Sequence, residues 1–190
     1  MGSNILHDSG ICIYNASMLN DDVLRLSGRR ISELFSTVVH IEHFRIDLDD
    51  AYDEPRAQYS SLMLLSGLHK ARLTQGMKYV LVVDVDLYTP VLTFIFGEAQ
   101  FEGQLAIVST HRLNNEFYGM QANGALLEER LQKEIIHELG HMIGLYHCHQ
   151  FECVMRSSTY VEEIDLKRAQ FCGRCREELL SRTTPTERAT

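Results

Sequence analysis

The sequence contains no tryptophan and only three prolines, and it lacks any long uninterrupted apolar run. Its most apolar stretch is "YVLVVDVDLY", which Asp84 and Asp86 interrupt, so the roughly 18 consecutive apolar residues typical of a membrane-spanning helix are missing. No internal repeat and no linker rich in proline, glycine or serine divides the chain. We therefore expect residues 1–190 to form a single domain.

Positive charge is also scarce, because 18 basic residues stand against 26 acidic ones and the net charge is -8. An acidic surface repels polyanions, so we expect neither a nucleic-acid partner nor an anionic membrane surface. The first residues, "MGSNILHDSG", have neither the basic start nor the apolar segment of a secretory signal. The expected location is the cytoplasm.

Strand-like and helix-like patterns alternate through the first half of the chain. Three apolar segments predict strands: "GICIYNA", "TVVHIEHFRIDL" and "KYVLVVDVDL". A helix capped near Asn20 and a second helix over "RAQYSSLMLLSGLHKARLTQG" separate them. Strands that alternate with helices favour a largely parallel sheet.

The pattern changes in the second half. The segment "VLTFIFGEAQFEGQLAIVST" predicts two strands joined by a glycine-containing turn, so at least one strand runs antiparallel to the others. A third helix is predicted over "ALLEERLQKEIIHELGHMIG", with an apolar stripe that faces the sheet. The fold class is therefore α/β (α+β), a twisted mixed β-sheet packed on helices.

A cluster of metal-ligand residues follows on that third helix. His137 and His141 are four residues apart, so their imidazoles share one helix face, and Glu138 completes the H-E-x-x-H pattern of zinc-binding helices. His147 could not reach the same ion from a continuous helix. Gly144 removes this difficulty, because glycine adopts positive φ and can end the helix in a turn that brings His147 back as a third ligand.

Three protein ligands leave a fourth zinc position open to water, which is the arrangement of catalytic rather than structural zinc. In this interpretation Glu138 takes a proton from the water, directs its attack on a carbonyl group and later passes the proton to the leaving amine. The pattern predicts hydrolysis of an amide bond without a covalent intermediate. A helix with a purely structural histidine pair is the alternative interpretation.

The cysteines form a second cluster. Cys148 and Cys153 precede Cys172 and Cys175 ("CGRC"), and two such pairs are typical of a closed structural zinc site. Disulfides or merely buried thiols are the alternative, which a reducing compartment and an odd cysteine total disfavour. His147 and Cys148 are adjacent, and neighbouring side chains in an extended segment point in opposite directions. One metal would therefore lie on each side of this segment, and the second zinc would brace the part of the chain that carries the third histidine. Cys12 lies in an apolar strand and is expected to pack as a small apolar residue.

The chain resembles the metzincin clan of zinc peptidases, and within it the archaemetzincins. The likeness rests on "HELGHMIGLYHCHQFECVM" and "CGRC", with further similar segments such as "DVDLYTP" and "LAIVST". It implies the metzincin fold, with an active-site helix that ends at Gly144 and two zinc ions per chain. The implied roles are Glu138 as general base, His137, His141 and His147 on catalytic zinc, and Cys148, Cys153, Cys172 and Cys175 on structural zinc.

The same resemblance implies two further features. Met155 would lie in a turn beneath the catalytic metal, and residues 103–110 (Gly103 to Thr110) would form the antiparallel edge strand that pairs with an extended substrate. Some metzincins carry a tyrosine two residues after the turn methionine; Ser157 occupies that position here. That tyrosine's role is therefore not assigned to Tyr160.

The sequence thus predicts a monomeric zinc metallopeptidase that acts on peptides or proteins, with endopeptidase and aminopeptidase action both open. Two other functions remain possible at this stage: a zinc-stabilised binding module with a vestigial histidine site, and a hydrolase of some other amide. Glu138 disfavours the binding module, since an acid beside the metal has no evident structural purpose. We expect a zinc-braced lobe over about 148–180 and a frayed tail over 181–190.

Overall fold

The computed structural model describes residues 10–68 and 73–183. The strands within these ranges are β1 (Ile11–Asn15), β2 (Val39–His43), β3 (Tyr52–Asp53), β4 (Gln58–Ser60), β5 (Lys78–Val83), β6 (Leu87–Thr89), β7 (Leu92–Ile95), β8 (Gly97–Ala99) and β9 (Leu105–Ser109). The α-helices are α1 (Asp21–Phe35), α2 (Ser61–Leu68), α3 (Gly124–Met142), α4 (Val161–Asp165) and α5 (Gly173–Thr183).

The main sheet has five strands in the order β2-β1-β5-β9-β8. β1 pairs in parallel with β2 and β5, β5 pairs in parallel with β9, and β8 closes the sheet by pairing antiparallel to β9. The predicted fold class is therefore confirmed: a twisted mixed sheet, mostly parallel, with one antiparallel edge strand on helices.

Both faces of this sheet are covered, because successive side chains of its central strands point to opposite sides. Ile11 and Ile13 of β1 enter a core cluster with helices α1 and α3. Cys12 and Tyr14 enter a second cluster on the other face, together with the apolar side of α2. The burial of Cys12 agrees with its expected packing role, and burial raises the pKa of its thiol to about 12.

The expectation that residues 103–110 form the antiparallel edge is wrong. β9 lies inside the sheet between β5 and β8, it runs parallel to β5, and all five of its residues are buried. A continuous apolar run such as "LAIVS" suits a central strand covered on both faces. The antiparallel edge is β8 instead, immediately before the turn that leads into β9.

Other boundaries also differ from the sequence-based expectation. Residues 58–60, assigned to the second helix, form β4 of a separate small sheet with the order β3-β4-β6-β7. α5 continues to Thr183, so the predicted frayed tail begins inside a helix. Residues 184–190 of that tail and the N-terminal residues 1–9 lie outside the described residues. None of the helices in the described ranges combines the length and apolar character needed to cross a membrane.

Candidate metal centres

Helix α3 ends in a Schellman turn that reverses the chain. The backbone N–H of Leu145 donates to the carbonyl of Gly140 at 2.9 Å, and that of Gly144 donates to the carbonyl of His141 at 2.9 Å. Gly144 has a φ of 99°, which glycine adopts without steric cost. The last helical residue is Met142, two positions before this glycine. The polypeptide then returns toward α3 and brings His147 with it.

The three predicted histidines converge after this turn. The Nε2 atom of His141 lies 3.1 Å from Nε2 of His137 and 3.2 Å from Nε2 of His147. The available ligand atoms of all three lie within 4.8 Å of one another. His137 is buried beneath the site, and His147 is exposed at its outer side. One imidazole from each turn of the helix and one from the returning segment therefore face a common point.

Backbone carbonyls fix the orientation of the two helical imidazoles. Nδ1 of His137 lies 2.7 Å from the carbonyl oxygen of Val154, and Nδ1 of His141 lies 2.8 Å from that of Leu145. Each Nδ1 must carry the proton to donate to a carbonyl, so each Nε2 keeps its lone pair. Burial, the largest cause, lowers the pKa of all three imidazoles, and that of His137 most strongly. The site thus favours neutral imidazoles, the form that binds metal.

A zinc ion fits this arrangement. Two Nε2 lone pairs at 3.1 Å repel each other unless a cation lies between them. Tetrahedral zinc with nitrogen ligands at about 2.0–2.1 Å places those nitrogens about 3.3 Å apart, close to the separations found here. The three imidazoles therefore fit one zinc ion and would leave one coordination position for water.

Glu138 is 4% exposed and belongs to the same turn of α3 as His137. Burial raises the pKa of its carboxyl group well above the usual range; the carboxylate of Glu134 adds to the shift, and the ammonium of Lys167 opposes it. Its side chain packs against Gly97 of β8, where an added Cβ would lie 2.8 Å from Oε1 of Glu138. Only a glycine in β8 leaves room for the carboxylate at this position.

A cleft of about 540 Å³ opens beside the three histidines. Its walls come from β7, β8, the second half of α3 and the segment 157–159. Lys167 and Glu134 also line it, although neither belonged to the sequence-predicted site. The edge strand β8, Glu138 and the three histidines therefore border the same cavity.

The four predicted cysteines also converge. Their Sγ atoms all lie within 4.8 Å of one another, and those of Cys148 and Cys172 are 3.7 Å apart. Tetrahedral zinc with thiolates at about 2.3 Å places sulfur atoms about 3.8 Å apart, so this set fits one ion as well. Backbone N–H groups donate to two of the sulfurs, from Gln150 to Cys148 and from Cys172 to Cys153, both at 3.4 Å. All five cysteines of the chain lie within the described ranges, and each is a free thiol.

Met155 joins the two clusters. It is fully buried, its carbonyl accepts a 2.9 Å hydrogen bond from the backbone N–H of Cys148, and its thioether packs on Gly140 of α3. An added Cβ at Gly140 would lie 2.3 Å from the Met155 sulfur, so this close packing requires glycine. The segment after the turn is therefore clamped between the helix and the cysteine cluster.

Sequence reasoning missed three residues of the cleft. Gly97 had a usable signal, since a glycine inside a strand indicates close approach by another group. Glu134 and Lys167 had none, because they are 33 residues apart in the sequence and meet only in the folded chain. His149 is exposed and belongs to neither ligand set in the structure. Ser157 lines the cleft, and Tyr160 is exposed.

The fold and the two donor sets define a class, the zinc metallopeptidases, and comparison with known proteins gives the family. A family model described as Peptidase family M54 matches residues 36–181. The archaemetzincin of Methanocaldococcus jannaschii is 35% identical over 173 residues, which cover 90% of this chain and 93% of the relative. That of Thermococcus kodakarensis is 40% identical over 131 residues, covering 68% of this chain and 70% of the relative.

Solved structures agree. A zinc-dependent peptidase from Methanocorpusculum labreanum is 33% identical with a TM-score of 0.81, covering 90% of this chain and 100% of that one. The archaemetzincin of Methanopyrus kandleri is 31% identical with a TM-score of 0.82, covering 93% of this chain and 95% of that one. The chain belongs to peptidase family M54, the archaemetzincins. It is a zinc metallopeptidase, and its substrates are peptides or proteins.

Proposed function

We propose that this chain hydrolyses peptide bonds at one catalytic zinc held by His137, His141 and His147, with Glu138 as general base. A second, structural zinc is held by Cys148, Cys153, Cys172 and Cys175. The observation that carries the proposal is the convergence of three Nε2 atoms on one point beside a buried, non-ligating carboxylate. The protein acts as a single domain and as a monomer, with the four thiolates bracing the lobe at about 148–180.

The three imidazoles would hold the zinc ion, which would supply a water molecule of lowered pKa and polarisation of the substrate carbonyl group. Glu138 lies on the cleft side of α3 and accepts a proton from this water as it attacks the carbonyl carbon. The same carboxyl group then donates that proton to the departing amine nitrogen. Burial favours the protonated form of Glu138 between these steps, so the proton is held at the carboxyl oxygen until the amine leaves.

The edge strand β8 orients the substrate. It is the last strand of its sheet and it lines the cleft, so its outward backbone groups can pair with an extended peptide. Strand pairing holds the peptide backbone at a fixed height above the histidines. This arrangement favours extended segments over folded ones and does not depend on a free chain terminus, which favours endopeptidase action.

The alternative of a binding module with a vestigial site has less support. A binding module does not need the buried carboxylate of Glu138, which packs against Gly97 beside the histidines. Burying an ionisable group costs free energy unless a function or a partner compensates.

Metal removal and restoration tests this function. The purified protein is expected to carry two zinc ions per chain and to cleave peptides of a mixed library. Treatment with a chelator should first remove one zinc and abolish cleavage, since four thiolates hold their ion more tightly than three imidazoles and a water. Adding one equivalent of zinc should restore activity, while magnesium should not. Undiminished cleavage by zinc-free protein, measured by mass spectrometry with metal analysis in parallel, contradicts the proposal.

A further inference from the structure

The cleft contains a buried ion pair that the proposed chemistry does not use. Lys167 is 3% exposed and Glu134 is 4% exposed, and Nζ of Lys167 lies 3.5 Å from Oε1 of Glu134. Both side chains line the cleft beside the histidines. Burying two charges costs free energy that a single loose contact does not recover, so the pair calls for a purpose other than stability.

Both members of the pair have unused hydrogen-bonding capacity. An ammonium group carries three donors, yet within the described residues the only hydrogen-bond partner of the Lys167 Nζ is Glu134 at 3.5 Å, the longest of the ion-pair distances there. Lys133, equally buried, bonds the carbonyls of Ile164 and Asp165 at 3.1 and 3.3 Å and pairs with Glu129 at 2.6 Å. Compared with that buried lysine, Lys167 is incompletely bonded, and the Glu134 carboxylate accepts only this one weak bond from residues in the described ranges.

A third polar group in the same cleft lacks a partner. The hydroxyl oxygen of Ser158 is buried and makes no hydrogen bond to the described part of the chain. Buried polar groups are nearly always bonded in folded proteins. An ammonium group with spare donors, a carboxylate with spare acceptors and a hydroxyl without a partner among the described residues therefore all line this cleft.

The Lys167–Glu134 pair lies close to the proposed general base. Glu134 precedes Glu138 by one helical turn on the same face of α3, so their Cβ atoms are about 5–6 Å apart. Consecutive Cα atoms of a peptide are about 3.8 Å apart, a spacing similar to the distance between Glu134 and Glu138. If Glu138 acts at the scissile bond, the side chain of a residue adjoining that bond can therefore reach Glu134 and Lys167.

We propose that Lys167 and Glu134 form a specificity pocket that binds the carboxamide of a substrate glutamine or asparagine directly beside the scissile bond. The amide oxygen accepts a hydrogen bond from the ammonium, and the amide nitrogen donates to the carboxylate. A carboxylate side chain would meet Glu134, and a cationic one would meet Lys167, at close range in a buried site. An apolar side chain would leave the spare donors of Lys167 and the spare acceptors of Glu134 without further partners. A neutral group with both a donor and an acceptor matches Lys167 and Glu134 at once.

The inference rests on the proposed function, and its test separates the two. The zinc-loaded enzyme is given octapeptides identical except for glutamine, glutamate, leucine or lysine on either side of the cleaved bond. We expect kcat/KM for glutamine to exceed that for leucine by about tenfold or more, since sites built to hydrogen-bond a substrate reject analogues that cannot. A preference for glutamate, leucine or lysine overturns the proposal.

The double variant Glu134→Leu/Lys167→Met tests the assigned residues. Removing both charges together avoids leaving one buried and unpaired, and the fold is checked by thermal unfolding. The glutamine-to-leucine ratio should fall below one while cleavage of the leucine peptide persists, a change that a purely structural pair would not produce. The matched control Glu152→Gln/Arg168→Met removes an exposed pair next to Lys167 and should keep the wild-type ratio. An unchanged ratio in the first variant overturns the proposal.

Binding provides a readout without turnover. The affinity of the same octapeptides for zinc-loaded Glu138→Gln protein, measured by calorimetry, should show the same preference for glutamine. If no peptide is cleaved by the wild-type enzyme but this preference is found, the proposed catalysis fails and the pocket stands. If peptides are cleaved but neither kinetics nor binding favours glutamine, the pocket fails and the catalysis stands.

Discussion

Replacing Glu138 by glutamine is expected to lower kcat by about 10²- to 10⁴-fold while zinc content and fold stay unchanged, because this range is the usual contribution of a positioned acid or base. The carboxylate is not one of the three converging ligands, so its loss removes proton transfer and leaves the imidazoles in place. Glutamine has the same size, and its neutral amide is easier to bury than a carboxylate, so the packing against Gly97 persists.

The measurement is kcat on a cleaved library peptide, with zinc determined per chain and the melting temperature recorded. Glu128→Gln is a matched control, because it makes the same change on the same helix outside the cleft. That variant should keep wild-type activity. Equal activity in Glu138→Gln and wild-type protein would refute the assigned base. If the variant lost both activity and zinc, Glu138 would instead be needed to hold the metal.

Replacing Cys175 by alanine is expected to remove one zinc per chain and to lower the free energy of unfolding by about 4 kcal/mol or more, a size typical of losing a structural metal. Cys175 is buried and lies in α5, whereas Cys148 lies in the segment that carries His147. A zinc ion held by the four cysteines would therefore tie α5 to the returning segment. Their loss should also weaken the catalytic site, because the Cys148 to Met155 hydrogen bond depends on that bracing.

Cys12→Ala is the matched control, since Cys12 is equally buried but lies in β1, away from the cluster. It should keep two zinc ions and lose only the small contribution of one buried thiol. Chemical denaturation of both variants, with and without a chelator, measures the difference. If Cys175→Ala keeps two zinc ions, or if both variants are destabilised equally, the structural zinc assignment is wrong.

The part of the site that could be predicted from the sequence depends on short-range geometry. The spacing of His137 and His141 fixes their relation on a helix, and Gly144 marks the position where positive φ is tolerated. These local constraints were enough to predict that His147 returns to the pair. The cysteine cluster was predicted from spacing as well. Cys148 and Cys153 are close in sequence, as are Cys172 and Cys175, so the fold has only to bring these two pairs together.

The features that could not be predicted depend on long-range pairing. The small sheet consists of strands of two to four residues, too short to show an alternating pattern. The edge strand was assigned to residues 103–110 by resemblance, although the unbroken apolar run of β9 indicates a central strand. Lys167 and Glu134 carry no motif, and their contact arises only when the segment after α4 packs on α3.

The central claim is that three imidazoles share one ion because the chain reverses at Gly144. Anomalous diffraction at the zinc absorption edge, measured on crystals of the purified protein, tests this claim most directly. The anomalous difference density locates zinc without reference to the protein atoms. We predict two peaks per chain, one about 2.0–2.1 Å from Nε2 of His137, His141 and His147, the other about 2.3 Å from four cysteine sulfurs. A single peak at the cysteines, or a histidine peak that His147 does not reach, would contradict the account.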